Sequence, residues 1–111
     1  MTDSKQAGFK EIDAAELLAL QSAGAIQLID VRNIDEVLRG AIAGAVHIPL
    51  AQLPQVYGKL TQDKPLVFYC HSGMRSAQAA GFMADHGYHN AYNLRGGVLA
   101  WAKSGYAFAV L

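Results

Sequence analysis

The run Leu66-Val-Phe-Tyr69 is apolar at four successive positions. A strand sends alternate side chains to opposite faces, so a run without a polar face must be covered on both sides. A parallel sheet with helices packed on each face meets that requirement, and it sets the fold class as α/β. The rest of the chain supplies the alternation of strands and helices that such a sheet needs. Asp13-Ala-Ala-Glu16 reads as the capped start of a helix, a carboxylate variant of the capping box, followed by Leu17, Leu18 and Leu20 and stopped by Gly24. Residues 26–31 read as a buried strand. Asn33 with Glu36 signals a second, short helix that ends at Gly40, and residues 45–48 read as a short strand closed by Pro49. Residues 50–60 fit a short helix or an irregular connection equally well. A helix is predicted over residues 76–86, stopped by Gly87, then a last strand over residues 91–94. Gly96-Gly97 opens a short helix through Trp101 to Lys103, with Gly105 as its stop.

A chain of 111 residues has the length of one domain, read here as residues 1–111 with residues 1–8 as a flexible N-terminal tail. At 52% hydrophobic and 16% charged residues it can bury enough surface to offset its conformational entropy, which excludes a disordered chain. Nine basic residues balance nine acidic ones without a basic cluster, so neither nucleic acid nor an anionic membrane is expected as a partner. No apolar run is long enough to span a bilayer. The polar start lacks an apolar segment of the secretory kind, so a cytoplasmic location is expected, where a lone thiol stays reduced. The single cysteine, Cys70, excludes an internal disulfide and a multi-cysteine zinc site. His86 and His89 are separated by Gly87 and lack a third ligand nearby, so no metal site and no cofactor are expected.

A lone cysteine is by default an inert packing residue. Three features argue otherwise for Cys70. It lies where the central strand ends, and parallel sheets bind ligands at the carboxyl ends of their strands. His71-Ser-Gly-Met-Arg75 forms a tight loop around Gly73 that feeds a helix, which turns several backbone N–H groups toward one point. Arg75 adds a fixed positive charge. All three favour the thiolate. At an ordinary pKa of ~8.5 only about 3% of a thiol is ionised at pH 7, so this environment would make Cys70 a nucleophile. Four residues separate Cys70 from Arg75.

Three segments then carry a family resemblance. They are Leu28-Ile-Asp-Val-Arg32 continued by Glu36, Gly40 and Gly44-Ala-Val-His-Ile-Pro49; Cys70-His-Ser-Gly-Met-Arg-Ser76; and Asn93-Leu-Arg-Gly-Gly97 with Trp101 and Gly105. In this order and spacing they make the chain resemble a single-domain rhodanese, a thiosulfate sulfurtransferase, from about Phe9 to Tyr106. Ala41 stands where the family often carries His, and Ala107 where it usually carries Pro. The resemblance implies a central, mostly parallel five-stranded sheet with helices on both faces. It implies that Cys70 takes the outer sulfur of thiosulfate or another donor as a persulfide and passes it to a thiol or cyanide. The amides from His71 through Ser72, Gly73 and Met74 to Ser76 would hold the persulfide anion, and Arg75 would help bind an anionic donor. A phosphatase or arsenate reductase uses a related loop, but the Cys/Arg phosphatases space it one residue wider. A carrier that receives sulfur from one protein and hands it to another in a sulfur relay is the remaining alternative.

Other residues have plainer readings. Asp30 and Arg32 are expected to brace loops beside the site, since buried charges need partners. Gly96 and Gly97 would allow close backbone approach next to the cysteine loop. His71 is expected to point to solvent and Met74 to cover the pocket, while Trp101 belongs to the core. The apolar end, Tyr106-Ala-Phe-Ala-Val-Leu111, either packs across the domain or marks self-association, so the chain is read as a monomer or weak homodimer.

Overall fold

The computed structural model describes residues 8–110; the tail expected over residues 1–8 lies outside them except for Gly8. Five strands run in chain order: β1 (Lys10–Ile12), β2 (Gln27–Asp30), β3 (Val46–His47), β4 (Leu66–Tyr69) and β5 (Ala91–Leu94). They form one sheet in the order β1-β5-β4-β2-β3, and every pairing is parallel. Five helices connect them: α1 (Ala14–Ser22), α2 (Ile34–Val37), α3 (Leu53–Val56), α4 (Met74–Asp85) and α5 (Gly97–Lys103). The ambiguous stretch over residues 50–60 resolves as α3 flanked by single 3-10 turns at Leu50–Gln52 and Tyr57–Lys59.

The period of the strands sorts the core into two layers. Leu28, Val67 and Tyr69 pack on one face with Leu17 of α1 and with Val98 and Trp101 of α5. Ile29, Leu66 and Phe68 pack on the other with Leu53 of α3 and with Ala79, Ala80 and Met83 of α4. β4 is buried at all four positions, as its unbroken apolar run demands. Continuing the alternation one step beyond β4 places Cys70 on the α4 face, in the same layer as Leu66 and Phe68.

α1 starts as its sequence predicts: the Glu16 amide donates to the Asp13 carboxylate at 2.8 Å, and the Asp13 amide to Glu16 at 3.0 Å. Two boundaries differ from the sequence reading. α2 ends at Val37 rather than Gly40, and α4 begins at Met74, two residues before Ser76. β1 has no counterpart in the residue pattern. It is three residues long, lies at the sheet edge and buries only Ile12, so Lys10-Glu11 gives no strand period to read.

The register sets the strand ends level. Asp30 lies opposite Tyr69, and Phe68 opposite Asn93. The segments leaving β2, β4 and β5 therefore emerge side by side, and a buried ion pair braces the one that leaves β2. The Asp30 carboxylate accepts from the Arg32 amide at 2.9 Å, from Nε at 3.0 Å and from Nη2 at 2.7 Å. Nη2 also donates to the Gly40 carbonyl at 2.8 Å. Burial by itself would lower the Arg32 pKa, but Asp30 outweighs it and holds the guanidinium above its ordinary value. The same guanidinium lies 5.5 Å from the centre of the Tyr69 ring, whose hydroxyl accepts the Ile42 amide at 3.0 Å.

Asp30→Asn keeps the shape and removes the charge that Arg32, 5% exposed, requires. Breaking one side of a buried pair is expected to cost about 3 kcal/mol. The expected outcome in thermal unfolding is a fall in Tm of about 10 °C or more. Unchanged melting with lost activity would place Asp30 in the chemistry instead of in the brace.

Candidate active site

Cys70 follows the last residue of β4, and α4 begins four residues later, so the loop between them is short. Its tight turn requires Gly73, which has φ +102 and caps the helix. A β-carbon there would also come within 3.2 Å of the Gly96 amide nitrogen. No side chain caps α4 from the Gly73 position. The Cys70 sulfur takes that place: the Gly73 amide donates to Sγ at 3.1 Å and the Ser76 amide at 3.4 Å. The first N–H groups of a helix lack partners within it, and a sulfur there is also held by the positive end of the helix dipole.

The Ser76 hydroxyl is 3.3 Å from Sγ and also contacts Oδ1 of Asn93. Asn93 is fixed in orientation because its amide nitrogen donates to the Gly73 carbonyl at 3.2 Å and to Glu11 at 3.1 Å, which leaves the oxygen facing Ser76. Ser76 and Asn93 are both buried. The residue pattern places Ser76 in the loop but gives Asn93 no role. The available signal was a polar side chain in the middle of the otherwise apolar β5 run, Ala91-Tyr-Asn-Leu94.

Cys70 is 1% exposed, as enclosed as the core around it. Burial pushes its pKa up. The Ser76 hydroxyl and the Ser76, Gly73 and Ser72 amides outweigh that penalty and leave the thiol below its ordinary value. The sulfur is thus held by polar donors while the residue belongs to the buried layer that contains Ile29, Val31 and Ala79.

The remaining loop residues divide into two groups. His71, Ser72 and Met74 are exposed. Met74 is 74% accessible at the start of α4. Arg75 is turned toward α2 and makes a two-pronged ion pair with Glu36 at 2.7 and 2.8 Å. Glu36 raises the Arg75 pKa, and the nearby Cys70 charge adds to the effect. In return Arg75, with the Asn33 amide, holds Glu36 down to about 2 against a smaller opposing effect of burial. The sequence paired Glu36 with Asn33 at the start of α2, where the Asn33 amide donates to the Glu36 carboxylate at 3.0 Å, but did not show it as the partner of Arg75.

Gly97 has φ +59, and a β-carbon on it would overlap the Cys70 carbonyl oxygen and come within 2.5 Å of the His71 carbonyl oxygen. This close approach lets the start of α5 hold the loop from behind. The Val98 amide donates to the Cys70 carbonyl at 2.9 Å, and the Leu99 amide to the His71 carbonyl at 3.2 Å. His86 stacks 4.1 Å from the Phe82 ring centre, and no group of three or more metal-ligating side chains occurs among the described residues. Among them too, no helix is long and apolar enough to cross a membrane.

Comparison with known proteins gives the following relations. Residues 13–104 match the family model of the rhodanese-like domain. The chain is 36% identical over 96 residues to a sulfurtransferase of Allochromatium vinosum, covering 86% of this chain and 90% of that one. It is 30% identical over 96 residues to the thiosulfate sulfurtransferase GlpE of Shewanella oneidensis, covering 86% and 95% respectively. The crystal structure of a rhodanese-related protein from Thermoplasma volcanium superposes with a TM-score of 0.84 at 30% identity, covering 92% of this chain and 99% of that one.

Ser76→Ala removes one donor from the sulfur and leaves the buried Asn93 oxygen without its partner. The expected destabilisation is about 1–3 kcal/mol. The pH profile of Cys70 alkylation should move to higher pH, and an unmoved profile would show that the hydroxyl does not hold the thiolate. For Glu36 the folded pKa is below the unfolded one. Its contribution is therefore present above pH 4.5 and is lost as the pH falls toward about 2. For this partly exposed pair the loss should not exceed about 1 kcal/mol. Glu36→Gln should remove that part of the acid dependence of unfolding, measured by denaturant titration across the same range.

Proposed function

The chain belongs to the family of rhodanese-like domains, and from that premise we propose that it moves a sulfane sulfur through a persulfide on Cys70. Sulfur transfer is the activity for which the relatives above are named. Thiosulfate or another sulfane donor would load the cysteine, and a thiol or cyanide would unload it. The observation that carries this reading is a single sulfur capping α4, with a pKa below that of an ordinary thiol.

In the loading step the Cys70 thiolate attacks the outer sulfur of thiosulfate. A new S–S bond forms, the S–S bond of the donor breaks, and its electron pair leaves with sulfite. The negative charge passes to the outer sulfur of the persulfide. In the second step a nucleophile attacks that outer sulfur, the persulfide bond breaks, and the electron pair returns to Sγ. The enzyme thus alternates between two stable forms, and ping-pong kinetics follow. In the thiolate form the anion lies beside the N–H groups of Gly73 and Ser76, which are in place before the donor arrives. Arg75 is paired with Glu36, which ties the loop to α2 and offsets the Arg75 charge.

Incubation with thiosulfate should add the mass of one sulfur atom, removable by cyanide, to the intact chain and not to Cys70→Ala. A Cys70→Ala variant that gains the same sulfur would overturn the assignment. Turnover of an aryl phosphate at comparable rates would favour the phosphatase reading. Slow loading by thiosulfate but fast loading by a persulfide-bearing protein would favour the carrier role.

A further inference from the structure

A cleft of about 220 Å³ opens beside the cysteine loop, lined by Arg32, Glu36, Arg39, His71, Val98 and Phe108. It adjoins the reacting residue through the backbone: His71 follows Cys70, and Val98 donates to the Cys70 carbonyl at 2.9 Å. A cyanide ion fills no more than a water or two would, at ~30 Å³ each, so small acceptors leave most of this space empty.

The charges around the cleft do not cancel. Arg32 is neutralised by Asp30 at 2.7 Å, and Glu36 by Arg75 at 2.7 Å. Arg39 is exposed and forms no ion pair or side-chain hydrogen bond among the described residues. One positive charge therefore remains uncompensated at the rim. The lining also has an apolar part. The chain end passes across the segment after α2, where Ala41 and Ala109 exchange amide bonds of 2.8 and 2.7 Å. This clamp sets Phe108 against Gly40, whose added β-carbon would lie 3.4 Å from the Phe108 β-carbon. Phe108 is still 39% exposed, and Val98 completes the apolar wall.

We propose that this cleft is the subsite of the sulfur acceptor, and that it takes a thiol bearing a carboxylate, with the carboxylate on Arg39 and the carbon chain against Phe108 and Val98. The inference rests on the sulfur-transfer reading and deepens it. The acceptor sulfur attacks the outer sulfur of the Cys70 persulfide, the persulfide bond breaks with its electron pair on Sγ, and the acceptor's proton goes to the released hydropersulfide. Charge and atoms balance without a further reactant. Arg39 touches no reacting atom; it holds the far end of the acceptor.

The test compares mercaptopropionate, mercaptoethanol and cyanide as acceptors for wild type and Arg39→Gln after loading with thiosulfate. Taking the ratio of the two proteins cancels the intrinsic reactivity of each acceptor. Arg39→Gln should lower kcat/KM for mercaptopropionate about fivefold through KM, the size of one partly screened ion pair, and leave mercaptoethanol and cyanide within twofold. A second measurement needs no persulfide: the unreactive methylthiopropionate should shift the Gly40 and His71 amide resonances in wild type and not in Arg39→Gln. Equal losses for all three acceptors, no loss for mercaptopropionate, or unshifted Gly40 and His71 resonances would each overturn the proposal. If Cys70 accepts no sulfur at all, the functional reading fails, and the resonances alone then decide whether the cleft binds a carboxylate.

Discussion

The contact on which the site depends is the one between the Cys70 sulfur and the open amides of α4. A helix start needs acceptors for its first N–H groups, and most helices take them from a Ser, Thr, Asp or Asn side chain. Here the acceptor is a sulfur that belongs to the preceding strand end. The arrangement serves fold and chemistry together. Ionising the sulfur strengthens its bonds to the helix, and the helix in turn favours the ionised form. The apolar surroundings sharpen the effect, since the same donors act more strongly where water is excluded. Enclosure in the core would by itself have made this an inert thiol; the direction of its pKa shows that the donors outweigh that cost.

The loop must be held from outside, because a short segment around Gly73 has little packing of its own. Two supports come from the neighbouring helices. The start of α5 grips the Cys70 and His71 carbonyls from behind, an approach that only Gly97 permits. From the other side Arg75 is tied to α2 through Glu36, while Asp30 and Arg32 fix the segment between α2 and β3 by way of Gly40. The level strand ends set by the register bring these segments within reach of one another. Function at the end of a parallel sheet is therefore a consequence of pairing as well as of loop sequence.

Much of this was legible in the residues. The unbroken apolar run of β4 predicts a covered parallel sheet. Asp13 with Glu16 marks the start of α1, and the loop from Cys70 to Arg75 marks the candidate nucleophile through its residue types and spacing alone. Most of what was not legible is of one kind: partners brought together by strand pairing. Glu36 and Arg75 are 39 residues apart, and Glu11 and Asn93 are 82 apart. Neither pair leaves a local pattern. α2 ends three residues before Gly40 because its last turn closes at Leu38 and Arg39, a detail of capping that the glycine signal overruns.

β1 shows how far such long-range placement reaches. Its three residues look too polar to be a strand, yet pairing with β5 lays Glu11 beside Asn93. Glu11 accepts from the Asn93 amide nitrogen, which turns the Asn93 oxygen to Ser76, and the Ser76 hydroxyl stands between that oxygen and the sulfur. The hydroxyl has one proton and two acceptors. With Cys70 protonated, the thiol can donate to Oγ while Oγ donates to Asn93; with Cys70 ionised, the hydroxyl proton is better placed on the sulfur. The ionisation of Cys70 is thus coupled to the orientation of a buried amide, and through it to an edge strand at the far end of the chain. Fixing that amide by two donors, to Gly73 and Glu11, is what keeps an acceptor facing Ser76 in either state.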